Sequence, residues 1–220
     1  MSDKLRARFA KEGRAVYISH LDLMRTMQRA FQRAGYALKY SEGFNPHPIL
    51  SILLPLSVGA SSVCELMDFQ LAAEADLSEM PEKLTAAMPE GIRVTEVWPE
   101  GRKVKELKWL RISGTLEYDT ADPARMRDGL QAFFAREQIV IRKKTKRGEG
   151  ESDIAPAIRS VGFSTGEQCV ILNAVISAQD PTLNPDLLIA ALRQLAPELA
   201  PDFAEFTRIA VYDAGMKEFR

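Results

Sequence analysis

An alternating strand followed by a sharply capped helix occurs twice in this chain, and that repeat limits the fold more than any other feature. LRARFAK, residues 5–11, places Leu5, Ala7 and Phe9 on one face and basic residues on the other, the period of two that marks a half-buried strand. AVYIS, residues 15–19, continues or pairs with it. Ser19 then stands as an N-cap with Asp22 at the third helical position, a capping-box arrangement. Leu23, Met24, Met27, Ala30, Phe31 and Ala34 follow on one helical face, and Gly35 ends the helix. In the second half LRISGTLEY, residues 110–118, is the strand. Asp122 is the cap, and Pro123 takes the first helical position that proline favours.

The segments between complete the pattern. YALKYS, SILLPLSVG and SSVCELMDFQLA read as strands, although Pro55 forces an edge or a break. A helix over residues 78–88 and the strand IRVTEVW close the first round. In the second, QIVIRKKTK is a strand running into a turn, and DIAPAIRSVGFS and EQCVILNAVIS are extended. Asn184 and Pro185 repeat the cap-plus-proline start before LLIAALRQL, and FTRIAVYDA ends the fold. Two rounds of β-α-β-β-α-β predict an α+β protein: tandem ferredoxin-like units with antiparallel sheets. They span residues 1–100 and 109–220, with the boundary in the charged stretch PEGRKVKELKW. A chain of 220 residues accommodates two domains of roughly 100 residues each.

Several function classes fall away. The two cysteines, Cys64 and Cys169, lie in apolar strands with no CxxC spacing, so they read as buried thiols of a reducing compartment. An iron–sulfur cluster or zinc finger on this chain is excluded, and no cofactor is expected. No apolar run approaches the roughly 18 residues of a membrane span, and MSDKLRARFAKEGR lacks the apolar core of a signal peptide. The expectation is a soluble cytoplasmic protein. With a net charge of −1, no global field draws polyanions, so any anion-binding surface is a patch. Residues 1–59 hold nine Lys or Arg against four acids.

That basic segment also contains both histidines. Arg25, Arg29 and Arg33 recur every four residues, opposite the apolar stripe. The ladder reads either as a solvated face or as a phosphate track, since guanidinium forks match phosphate oxygens. Arg142, Lys143, Lys144, Lys146 and Arg147 make five of six consecutive residues basic, followed by Gly148 and Gly150. They read as a hairpin tip, either solvated or gripping a nucleic-acid backbone. A third group, Arg102, Lys103, Lys105 and Lys108, sits between Trp98 and Trp109 and reads as a polar linker or a weak stacking surface.

GFNPHP, residues 43–48, is a shaped loop, because Gly43 permits positive φ and the residues before each proline are held extended. Tyr40, Phe44, Asn45 and His47 are its candidates for stacking on a base or docking a protein partner. His20 and His47 are either packing residues, an acid–base pair for metal-independent RNA cleavage, or two members of an incomplete metal site. No other catalytic motif occurs, and no metal site is assigned.

SHLDLMR at Ser19 to Arg25, RAFQRAG at Arg29 to Gly35, YSEGFNPHP at Tyr40 to Pro48 and PLSVG at Pro55 to Gly59 together resemble the radical-SAM-linked protein family. This is a domain of unknown function encoded beside, or fused to, B12-binding-type radical SAM proteins. KKTKRGEGESDIAPAI at Lys143 to Ile158 is similar to its basic turn. Glu42 departs from the glutamine usual there. The resemblance implies a radical SAM enzyme as partner and carries no catalytic residues. The tandem order also resembles that of CRISPR repeat-processing endoribonucleases, by fold and basic surface alone. The expected function is a non-catalytic accessory module that binds structured RNA and presents it to the radical SAM partner. The alternatives are a protein-only adaptor docking through GFNPHP, and an endoribonuclease using His20 and His47.

Overall fold

The structure, a computed structural model, describes residues 4–145 and 148–220. It is a mixed α+β chain with mostly antiparallel strands and, among the described residues, four α-helices. The chain divides into two compact units: one runs to Glu106 and takes in Arg220, and the other spans Leu107–Phe219.

In the first unit β1 (Lys4–Lys11), α1 (His20–Arg33), β2 (Leu50–Leu53), β3 (Ser61–Gln70), α2 (Met80–Ala86) and β4 (Ile92–Pro99) follow in that order. β1 pairs antiparallel with both β3 and β4, and β2 with β3, giving the spatial order β4-β1-β3-β2. The stripe of α1 packs as its spacing dictates: Leu23, Met27, Ala30 and Phe31 are buried against Ala7, Phe9, Met67 and Phe69. Phe31 and Phe69 meet at a ring-centroid distance of 4.7 Å. Burial of each large side chain here contributes roughly 1.5–3 kcal/mol.

Three local expectations change. AVYIS is no strand: a 3-10 turn over Gly13–Tyr17 leads into α1. Its Val16 carbonyl accepts from the buried Lys11 ammonium at 2.9 Å and from the Gly59 N–H at 3.0 Å, and these tertiary bonds fold the segment away from the sheet. YALKYS is likewise reduced to isolated bridges, Leu38 with Leu71 and Tyr40 with Pro48. The basic face of β1 is not a solvent face either. Arg6 is wholly buried, and its guanidinium donates to both Asp68 oxygens, at 2.6 and 2.9 Å, with Glu100 at 3.6 Å. β1 is therefore covered on both sides, and the arginine is tolerated because a carboxylate stands opposite it in register.

In the second unit the order is β5 (Leu107–Glu117), α3 (Pro123–Phe134), β6 (Val140–Thr145), β7 (Gly148–Asp153), β8 (Ile158–Thr165), β9 (Cys169–Ser177), α4 (Asp186–Leu195) and β10 (Phe203–Asp213). β5 pairs antiparallel with β10 and β9, and β9 with β8; β6 and β7 form a separate hairpin. Asp122 caps α3 by accepting from the N–H groups of Ala124 and Arg125. Asn184 accepts from Asp186 N at 3.1 Å at the start of α4. Cys64 is buried and Cys169 half-buried, and neither forms a disulfide.

Tyr118 closes this core after β5. Its buried hydroxyl donates to the Leu199 carbonyl at 2.9 Å. Burial first, and the Asp202 charge second, push its ionisation up to about 12. The folded pKa is raised, so its contribution to stability is complete below the ordinary tyrosine value near 10 and is lost as pH climbs towards the folded value. Two outcomes are expected. Tyr118→Phe lowers the unfolding free energy by about 1 kcal/mol, read by urea denaturation at neutral pH. In an ultraviolet pH titration the last phenolate to appear in the native protein is absent from that variant.

Among the described residues, no helix is long and apolar enough to cross a membrane.

Candidate functional site

The outer face of α1 is the candidate site, and its two ends are set by sequence-local chemistry. At the N-terminus Ser19 Oγ accepts from Asp22 N at 3.2 Å while its hydroxyl donates to Asp22 Oδ2 at 2.8 Å. The serine hydroxyl and then the Arg25 guanidinium hold the Asp22 carboxyl below its ordinary range. A depressed folded pKa adds stability above the unfolded value and loses it as pH falls through the folded one. Ser19→Ala is therefore expected to move the Asp22 titration, followed by NMR, back up towards 3.8 and to fray the first turn. At the other end Gly35, with φ of 81°, takes the left-handed position. Tyr36 N bonds to Phe31 O at 2.9 Å and Gly35 N to Gln32 O at 3.1 Å, a Schellman stop.

Between these ends the three ladder arginines are not equivalent. Arg25 is paired with Asp22 at 3.0 Å, both side chains being exposed. Arg33 reaches across to α2, where Nη2 donates to the Ala87 carbonyl at 2.5 Å. Arg29 is exposed, and its guanidinium has no partner among the described residues. It stands where two clefts of the first unit meet. One, of about 870 Å³, runs between α1 and the end of α2 and is lined by Thr26, Arg29, Arg33 and Lys83. Lys83 is braced by Glu79 at 2.5 Å, which also raises its pKa. The other, of about 360 Å³, lies towards the GFNPHP loop and is lined by Gln28, Arg29, Gln32, Tyr36, Tyr40 and Pro48.

GFNPHP is closed by its own residues. Ser41 N bonds to His47 O at 2.9 Å, His47 N to Ser41 Oγ at 3.1 Å, and His47 Nδ1 lies 2.9 Å from the same Oγ. Gly43 has a φ of 121°. The loop thereby holds Phe44 fully exposed and Asn45 in solvent. His20, the first residue of α1, is exposed, and no hydrogen bond joins it to His47. Among the described residues no three His, Cys, Asp or Glu side chains are grouped to hold a metal.

Arg142, Lys143 and Lys144 of the second basic cluster lie on β6 of the other unit, paired with β7. Arg142 faces Glu151, with Nε 3.9 Å from the carboxylate, and Lys144 pairs in register with Glu149. Lys143 is opposite Gly150. Gln194 of α4 clasps the hairpin base, accepting from Arg142 N at 2.9 Å and donating to Arg142 O at 3.0 Å. Lys146 and Arg147 lie outside the described residues. Trp109 is covered by the Arg159 guanidinium, 5.3 Å from its ring centroid.

Sequence reasoning missed Lys83, Tyr36 and the glutamines. Gln28 and Gln32, four apart beside the arginines, were a readable signal. Lys83 was not, because α2 reaches the site only through the fold.

No curated protein matches this chain. Among solved structures it is similar to an unknown protein from Galdieria sulphuraria, with 8% identity over 93% of this chain and 97% of that one and a TM-score of 0.27. It is also similar to the CRISPR endoribonuclease Cse3 bound to a 19-nucleotide RNA, with 16% identity over 92% and 99% and a TM-score of 0.20. A family profile matches residues 4–185, and the chain accordingly belongs to DUF2344, a family described as an uncharacterized protein conserved in bacteria.

Proposed function

We propose that this chain is a non-catalytic accessory module that binds structured RNA on the outer face of α1 and presents it to a radical SAM partner enzyme. The observation that carries the RNA reading is Arg29: a guanidinium without a partner among the described residues, in a cleft shared with Arg33, whose charge faces a carbonyl, and with Lys83, which Glu79 pairs. Cations in such a cleft can contact phosphates, and binding through them is electrostatic and sequence-independent. The hairpin residues Arg142, Lys143, Lys144, Lys146 and Arg147 are read as a second basic element, of which Arg142 is partly compensated by Glu151. The radical SAM partner rests on the resemblance of SHLDLMR and YSEGFNPHP. We read the two units as tandem ferredoxin-like folds, on the strength of the order β4-β1-β3-β2 and its counterpart β10-β5-β9-β8. The setting is cytoplasmic.

Purified protein is expected to retain nucleic acid, giving a raised 260/280 nm absorbance ratio that ribonuclease returns to the protein value. Retention unchanged in Arg29→Ala/Arg33→Ala contradicts the assignment. One observation favours a second reading, an adaptor that docks protein through GFNPHP: Phe44 is fully exposed at the loop tip. Capture of the radical SAM protein that is lost in Phe44→Ala but kept in Arg29→Ala selects that reading. Cleavage of RNA in EDTA, lost in His20→Ala, selects the endoribonuclease.

A further inference from the structure

We infer that the smaller cleft beside Arg29 is a pocket for one unpaired nucleobase, so that the RNA recognised on α1 is one with a flipped-out or bulged nucleotide. The inference rests on the RNA reading above and adds the substrate class. The cleft measures about 360 Å³. Small-ligand pockets span roughly 300–1,000 Å³, so its volume suits a ligand of nucleotide size.

Its lining has three chemistries in the places a nucleotide needs them. Tyr40 is exposed, and its backbone is held by the bridge to Pro48. Tyr36 is half-buried, and its backbone is fixed by the Schellman stop of α1. These rings offer aromatic surface on which a base stacks whatever its identity. Gln28 and Gln32 lie on the same face of α1, one turn apart, and neither side-chain amide has a partner among the described residues. An amide presents a donor and an acceptor side by side, the complement of a base edge. Arg29 lines this cleft and the larger cationic one. Because Arg29 lines both clefts, a base in the smaller one has a cation beside it for its phosphate, with Arg33 further along the larger cleft. The deep, narrow major groove of an A-form duplex keeps its base edges from side chains, and sequence-specific RNA recognition overwhelmingly uses unstacked nucleotides instead.

The test uses the full chain and two fluorescein-labelled RNAs, a blunt duplex and the same duplex with one bulged adenosine, read by anisotropy. The bulged RNA is expected to bind about tenfold more tightly, the scale of one base–aromatic stack. Tyr40→Ala and Gln32→Ala each bring it towards the duplex level without changing the dependence on salt, whereas Tyr40→Phe keeps the preference. Both substituted positions are exposed, and circular dichroism checks the fold. Equal binding of the two RNAs by the wild type, or a preference surviving both alanine variants, overturns the pocket and leaves the RNA reading standing. Failure of both RNAs to bind overturns the RNA reading and the pocket together.

Discussion

Asp68→Ala is expected to destabilise the protein by about 3–5 kcal/mol, the cost of leaving a buried charge without its main partner. Arg6 has no solvent exposure, so water replaces the lost carboxylate only in part. Two short charge-assisted bonds, at 2.6 and 2.9 Å, disappear, and Glu100 at 3.6 Å is the counter-ion that stays. The lower end of the range applies, because Asp68 keeps 14% exposure and a truncated site there admits some water. Urea unfolding at neutral pH measures the loss as a lower midpoint with an unchanged slope. The double variant Arg6→Met/Asp68→Leu separates causes: it removes both charges and is expected to recover most of the stability. A loss below about 1 kcal/mol for the single variant contradicts the buried pair and places it with surface salt bridges.

The second large effect is on binding. Arg29→Ala is expected to weaken RNA association about tenfold at low salt, the scale of a lost hydrogen bond to a charged group, and Arg29→Glu to weaken it further by repelling the backbone. The ladder supplies its own controls. Arg25 already has Asp22 at 3.0 Å in the open, so Arg25→Ala removes a cation whose field was largely cancelled and has a smaller effect. Arg33 is held by the Ala87 carbonyl, which fixes its position but leaves its charge uncompensated, so Arg33→Ala falls between the two. Arg142 faces Glu151 across the hairpin and groups with Arg25. Equal losses from all four substitutions point to a diffuse basic surface in place of a built cleft.

Much of the architecture was legible. Ser19, Asp22 and Gly35 fix both ends of α1 through bonds within a few residues, and Asp122 with Pro123 does the same for α3. Where local signals competed with distant ones, the distant ones won. AVYIS has strand propensity, yet the Val16 carbonyl is claimed by Lys11 and Gly59. The alternation of LRARFAK promised a solvated basic face, yet Asp68, sixty-two positions away, takes Arg6 into the interior. The β6–β7 hairpin was visible as a basic turn, but not the cross-strand pairing of Arg142 with Glu151. For the site, the arginine spacing and the rigid loop were on the page of the sequence. Their unequal partners were not, because Ala87 and Lys83 arrive from α2.

The most direct measurement is the salt dependence of binding. Anisotropy titrations of a labelled stem–loop RNA, run for wild type and Arg29→Ala from low to physiological ionic strength, give log Kd against log salt. A guanidinium that contacts one phosphate is expected to make the wild-type line steeper by about one unit of slope than the variant line. Superimposable lines, or a wild-type protein that leaves the RNA free even at low salt, contradict the assignment of α1 as the RNA-binding face.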